Sequence, residues 1–232
     1  MYKENRKTIN WMVGCEHDCI YCRPSFQRQM KRQKQRCLKC YRYEPHAHLE
    51  RLLKSPPKTK GDEFVFFPSS GDPAFALISE WATALEYARK HANTKFLIQS
   101  KNPGCLIDID FPANMVVATT IETNLGTFET PSRYKTYTEI SQAPSPYTRY
   151  LAMLEVQHKH KMVTIEPILD FNLITLLKWI REINPEIMYV GYDNHNVKLP
   201  EPPLAKTKLL IKELRKFTTV RVKTLRRAWW ET

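Results

Sequence analysis

The chain has 232 residues, 42% of them apolar, so it can bury one sizeable core and is not a disordered segment. Lysine and arginine outnumber aspartate and glutamate by 36 to 24, and the net charge of +12 favours a polyanionic partner, nucleic acid first. No apolar run reaches the roughly 18–20 residues of a membrane span, and the polar stretch Met1 to Asn10 has no secretory character, so a membrane anchor and a leader are both unexpected.

Thr8 to Val13 reads as a short strand that delivers a loop at its carboxyl end. That loop, Cys15-Glu16-His17-Asp18-Cys19-Ile20-Tyr21-Cys22, spaces three cysteines as C-x3-C-x2-C. A triplet cannot be paired into disulfides without leaving an odd thiol. It suits one soft metal centre that takes three sulfur ligands from a single loop. Zinc normally takes four ligands in a structural site, commonly as two separated pairs. A four-iron cluster held by three thiolates keeps one position open for chemistry. Gly14 lets the chain turn after Trp11-Met12-Val13, and Tyr21 is placed to shield the centre from water. Six cysteines with metal-like spacing imply a reducing, cytoplasmic setting.

Arg23 to Tyr43 is a basic insertion after the first strand, with eight lysines and arginines and no acid. Arg28, Arg32, Lys34 and Arg36 are its candidate phosphate contacts, with Phe26, Tyr41 and Tyr43 interleaved. A solvated helix face is the plainer reading of a charge run, but uncompensated like charges at helical spacing repel. Cys37 and Cys40, followed by His46 and His48, have the makings of a second metal site, with zinc the expected ion. The His pair is closer than the usual gap of three to five.

His46 to Lys54 has helical periodicity, and Glu63 to Phe67 is a buried strand. Ser69-Ser70-Gly71-Asp72 follows that strand as a polar loop suited to a ligand ammonium or hydroxyl. Helices are expected over Ala76 to His91, Tyr147 to His160, Leu173 to Ile183 and Leu204 to Phe217. Strands are expected over Lys95 to Gln99, Met115 to Thr119, Met162 to Ile165, Ile187 to Val190 and Thr219 to Val222. Gly126 to Pro146 is polar and long enough to predict a lid or substrate loop. The tail ends in Arg226-Arg227-Ala228-Trp229-Trp230; Arg226, Arg227 and Trp229 join the candidate nucleic-acid contacts. This βα alternation predicts an α/β fold, a partial (β/α)6-type TIM barrel open on one side. It forms a single domain over 1–232, with the basic CxxC insertion at 23–45 and a C-terminal helix, strand and tail at 204–232.

The cysteine spacing, with an aromatic before the third cysteine, resembles the radical S-adenosylmethionine (SAM) superfamily. Ser70-Gly71-Asp72, Ile98 to Pro103, Ala118 to Thr123, Val163 to Ile168 and Val190 to Asp193 further resemble a phage and prokaryotic three-cysteine-motif family near that superfamily. A more distant similarity is to the spore photoproduct lyases, DNA-repair members with a similarly tight triplet. The Cys37/Cys40 pair is not part of the family pattern. The resemblance implies that Cys15, Cys19 and Cys22 bind a [4Fe–4S] cluster whose fourth iron is chelated by SAM. A 5′-deoxyadenosyl radical would then abstract hydrogen from substrate. It implies a methionyl-ammonium site at Ser69, Ser70, Gly71 and Asp72. Tyr21, Ser100, Lys101, Thr120, Glu122 and Glu166 become further cofactor contacts. It also implies an electron donor such as flavodoxin or ferredoxin. The basic segments make a nucleic acid or nucleotide the expected substrate, for modification or repair. Two other readings fit the same residues: a non-catalytic, zinc-dependent nucleic-acid-binding protein, and an activase that makes a glycyl radical on a partner protein.

Overall fold

A computed structural model describes residues 2–232. Seven strands form one wholly parallel sheet in the order β1 (Asn5–Thr8), β4 (Phe64–Phe66), β5 (Phe96–Ser100), β6 (Met115–Thr120), β7 (Lys161–Ile165), β8 (Ile187–Val190) and β9 (Thr219–Val222). The sheet curls into a half-barrel with helices outside it, as expected for a partial barrel. Two-residue strands β2 (Met12–Val13) and β3 (His46–Ala47) pair antiparallel beside it.

Alternation along each strand decides which layer a side chain enters. Val65, Phe96, Ile98, Val117, Val163, Ile165, Met188 and Val190 face the helices and form the main core. Phe64, Leu97, Ala118, Met162 and Tyr189 face the concave side, where Tyr2 packs on them. Helix α3 (Ile78–Lys90) follows β4, α4 (Pro146–Glu155) follows β6, α5 (Leu173–Ile183) follows β7 and α6 (Leu204–Leu214) follows β8. Local chemistry sets their ends. The Ser145 hydroxyl accepts from Thr148 N at the start of α4, and Asn172 Oδ1 accepts from Thr175 N at the start of α5. Asn184 ends α5 in the left-handed region at φ 53°.

The open side lies between edge strands β1 and β9, and the N-terminal segment bridges it. Tyr2 donates its hydroxyl to Gln99 at 2.8 Å, and Arg221 on β9 pairs with both Glu4 and Asp62. No helix among the described residues is long and apolar enough to cross a membrane.

Three expected elements differ. Thr8 to Val13 is not one strand: β1 ends at Thr8, and Met12–Val13 leaves the sheet to pair with β3. His46 to Lys54 is not helical at its start, because His46–Ala47 is β3 and only Leu49–Leu53 coils, as a 3-10 turn. Gly126 to Pro146, expected as a structureless lid or substrate loop, is packed against the fold. Phe128, Tyr134, Tyr137 and Ile140 are buried, and Tyr137–Glu139 forms a 3-10 turn. The basic insertion is short helical pieces, among them α1 (Arg28–Met30) and α2 (Leu38–Arg42).

Candidate active site

The cysteine loop is held at the carboxyl end of the sheet by two glycines. Gly14, at φ +92°, has no room for a Cβ, which would lie 2.3 Å from the carbonyl oxygen of Glu44. Gly71 lies against it as a parallel bridge; a Cβ there would stand 2.8 Å from Val13 Cα. Gly14 N donates to Ser70 O, and Asp72 N donates to Gly14 O, both at 3.1 Å. The loop after β4 is thereby pressed onto the loop that carries the cysteines.

The segment 126–145 roofs that loop. Ile20 N donates to Ile140 O at 3.0 Å, Gln142 N to His17 O at 2.7 Å, and the Ser141 hydroxyl lies 3.0 Å from Cys19 Sγ. All three cysteines are free thiols; Cys19 is buried, and Cys15 and Cys22 are half-buried. Cys19 and Cys22 share a hydrogen bond. That bond, more than the Lys101 ammonium 3.3 Å away, outweighs burial and lowers Cys19. The same hydrogen bond, with burial, holds Cys22 well above an ordinary thiol. Burial, with the Asp72 carboxylate beside it, raises Cys15.

Asp72 ties the second loop to the third. Its Oδ1 accepts from Ala74 N at 2.9 Å and the Ser100 hydroxyl at 2.6 Å; its Oδ2 accepts from Lys101 N at 2.8 Å and lies 3.1 Å from His17 Nε2. These four partners occupy the carboxylate expected at a ligand ammonium. Cys15, His17 and Asp72 ligand atoms also lie within 4.8 Å of one another. Ser69 and Ser70 donate their backbone N–H groups to Asn10 Oδ1 at 2.8 and 3.0 Å.

Under the cysteines lies a buried charge network. Glu122, one of the expected cofactor contacts, is wholly enclosed. Arg149 on α4, also fully buried, donates to its Oε2 at 2.8 Å; Lys101 and the Tyr21 hydroxyl bond its Oε1. The Tyr137 hydroxyl stands 3.2 Å from Oε2. Burial would raise the Glu122 carboxyl, but Arg149 and then Lys101 hold it below its ordinary value. Arg149 also donates to Thr120 O. The physical reason for the enclosure is charge: a carboxylate among two buried cations is spent on them. Thr120 Oγ1 accepts from Gln99 on the concave face at 2.8 Å. Glu166, at the end of β7, pairs with Lys223, which lies over the Tyr2 ring.

The expected contacts therefore fall into three groups. Tyr21, Lys101 and Glu122 meet beneath Cys19. Ser69, Ser70, Gly71, Asp72 and Ser100 form the adjoining loops. Glu166 and Thr120 point elsewhere along the strand ends. Arg149, Asn10, His17, Tyr137 and Ser141 carry no sequence signal of their own, since each reads as an ordinary polar residue in a helix or loop. Cys37, Cys40, His46 and His48 gather in a separate cluster behind Tyr43.

The nucleic-acid candidates divide. Arg28, Arg32, Lys34 and Arg36 are exposed, and Lys31 and Lys34 lie over the Tyr41 ring. In the tail, Arg226 is committed to an ion pair with buried Glu201 at 2.7 Å and donates to Asp193 O. Trp229 Nε1 donates to Leu199 O at 2.7 Å, and Trp230 Nε1 to Glu201 O at 3.1 Å. Of the tail's candidate contacts, Arg226 and Trp229 are thus engaged in capping the fold, and Arg227 is left exposed.

Fold and site define a parallel α/β half-barrel with a three-thiol loop at the carboxyl ends of its strands. Two solved structures of spore photoproduct lyase share this fold. One is a cysteine-to-alanine mutant with a dinucleoside spore photoproduct, at 12% identity and a TM-score of 0.54 over 90% of this chain. The other is a tyrosine-to-phenylalanine mutant, at 14% identity and 0.54 over 91%. The match takes in 61% of the length of each lyase chain. No protein-family model and no curated protein matches the chain, so the likeness to the three-cysteine-motif family rests on its motifs.

Proposed function

We propose that the chain is a radical SAM enzyme acting on a nucleic acid or nucleotide. The observation that carries this is the gathering of Cys15, Cys19 and Cys22 on one loop at the strand ends, with Lys101 Nζ 3.3 Å from Cys19 Sγ. The donor set fits an iron–sulfur cluster: three soft thiolates, a cation to offset their charge, and a roof of buried aromatic side chains. When bound and reduced, such a cluster supplies one electron for reductive cleavage of SAM. The chain's own residues bind and position. The loop Ser69 to Asp72, pressed onto the cysteine loop, would border the methionyl ammonium, and Lys101 would balance the thiolate charge. The 126–145 roof excludes water from the thiols. A flavodoxin or ferredoxin would be the electron donor.

Anaerobic protein loaded with iron and sulfide, reduced with dithionite and given SAM, should release 5′-deoxyadenosine. Iron-replete protein that releases none overturns the assignment.

The substrate class rests on charge and on the dinucleoside held by the structural neighbour. Exposed Arg28, Arg32, Lys34 and Arg36 form one cationic stretch. The roof reaches the tail: the Ser132 hydroxyl donates to Lys198 O, and Lys198 lies over the Trp229 ring. Binding of oligonucleotides should weaken with salt by a slope of about 0.7–0.9 per phosphate contact. Arg32→Glu with Lys34→Glu should cut affinity and flatten that slope in fluorescence anisotropy. Oligonucleotides that fail to bind at low salt would move the substrate to a small molecule or protein.

A further inference from the structure

The geometry points to a structural zinc site formed by Cys37, Cys40, His46 and His48, separate from the three-thiol loop. Their ligand atoms lie within 4.8 Å of one another. His46 Nε2 is 3.3 Å from Cys37 Sγ, 3.4 Å from Cys40 Sγ and 2.9 Å from His48 Nε2; His48 Nε2 is 3.1 Å from Cys40 Sγ. A zinc tetrahedron with ligands at about 2.0–2.3 Å has edges of about 3.3–3.8 Å. Four of the six pairs therefore lie within about half an ångström of such an edge, and seating an ion would open them slightly.

The outer partners fix the histidine tautomers. His46 Nδ1 lies 2.7 Å from the Glu44 carbonyl oxygen, and His48 Nδ1 lies 2.7 Å from a Glu50 carboxylate oxygen. Both oxygens accept, so each Nδ1 carries the proton and each Nε2 turns a lone pair inward. Two inward lone pairs 2.9 Å apart beside two thiols are a donor set that one divalent cation satisfies at once. Two sulfurs and two nitrogens in a compact group select zinc over a cluster or a hard cation.

The short His spacing has a structural reason. A gap of three to five residues is that of a helix, whereas His46 opens the extended strand β3 and alternate residues of extended chain project to one side. Cys37 starts α2, and its thiol accepts from Cys40 N at 3.4 Å, the turn that brings both sulfurs to the same place.

This site would buttress the first one without sharing a ligand. His46 is the register partner of Val13, and Cys15 N donates to Tyr43 O at 3.4 Å. The Glu44 carbonyl that accepts from His46 is the atom against which Gly14 is packed. A metal fixing His46 thus fixes the floor of the cysteine loop.

The test is elemental analysis of the purified full chain, which should carry about one zinc beyond its iron. Cys37→Ser with Cys40→Ser should remove that zinc. In a variant with Cys15, Cys19 and Cys22 replaced by serine, the zinc should remain. Cobalt added to that variant after zinc is removed should show the visible bands of tetrahedral Co(II) and thiolate charge transfer. This measurement keeps the Cys37–His48 segment intact and is independent of any SAM chemistry. Glu50→Ala, at an exposed position, should weaken zinc roughly 10-fold in competition with a chelator. Absence of zinc together with no tetrahedral cobalt spectrum overturns the site, as does zinc that leaves only when Cys15, Cys19 and Cys22 are replaced.

Discussion

Replacing Cys15, Cys19 and Cys22 together by serine should turn a brown, anaerobically purified protein colourless and remove about four irons per chain. A hydroxyl is a hard, weakly acidic donor and holds iron in a sulfide cluster poorly. Each thiol is set by a different neighbour. Cys15 sits beside Asp72, Cys19 between Ser141 and Lys101, and Cys22 against Cys19. No single one is a spare, so each single serine variant should also lose most of its iron. The fold should survive, because serine is nearly isosteric and the loop is anchored by backbone bonds at Gly14, Ile20 and Gln142. Iron and sulfide analysis with the visible spectrum reads the result, and the urea midpoint serves as control. A triple variant that still holds about four irons would show that the cluster, if any, lies elsewhere.

The half-barrel was legible because parallel strands buried on both faces announce themselves as runs such as Phe64-Val65-Phe66 and Met188-Tyr189-Val190, alternating with amphipathic helices. Leu173–Ile183 and Ile187–Val190 fall where periodicity puts them. What periodicity does not reach is structure held by a few specific contacts. Strands β2 and β3 are two residues each, too short to carry a pattern, and their pairing depends on Gly14 and on the His46 surroundings. The order of the segment after Gly126 rests on four apolar anchors, Phe128, Tyr134, Tyr137 and Ile140, scattered among Thr, Ser and Pro with no period to reveal them. Spacing pointed to the three thiols and to the Cys37–His48 group, because cysteines and histidines at chelate spacing stand out in a sequence. It could not identify Arg149, since an arginine in an amphipathic helix reads as solvent-facing until a buried carboxylate is seen opposite it.

That carboxylate gives the second large effect. Glu122→Gln should destabilise the protein by about 3–5 kcal/mol, the usual cost of removing one member of a buried ion pair. Lys101 and Arg149 would remain in place with their shared counter-charge gone, and one of the two oxygens that Tyr21 and Tyr137 bond would become an NH2 that donates instead of accepting. Arg149→Met should cost less, because Lys101 still neutralises Glu122. The double variant should fall well short of the sum, since both changes break the same contact. The pH dependence follows from the sign of the shift. Glu122 ionises more readily folded than unfolded, where its value is near 4.5, so its contribution is complete above that value. It is lost as pH falls through the lower folded value, when protonation uncouples the carboxyl from Arg149. Urea midpoints followed from about pH 7 down to about pH 3 should therefore drop more steeply for the wild type than for Glu122→Gln. Because Tyr21 lies between Cys19 and Cys22 and bonds Glu122, the glutamine variant should also retain less iron at neutral pH. Equal midpoints and equal acid slopes for the two proteins would mean that the network contributes nothing to stability and that the cysteine loop is positioned by its backbone contacts alone.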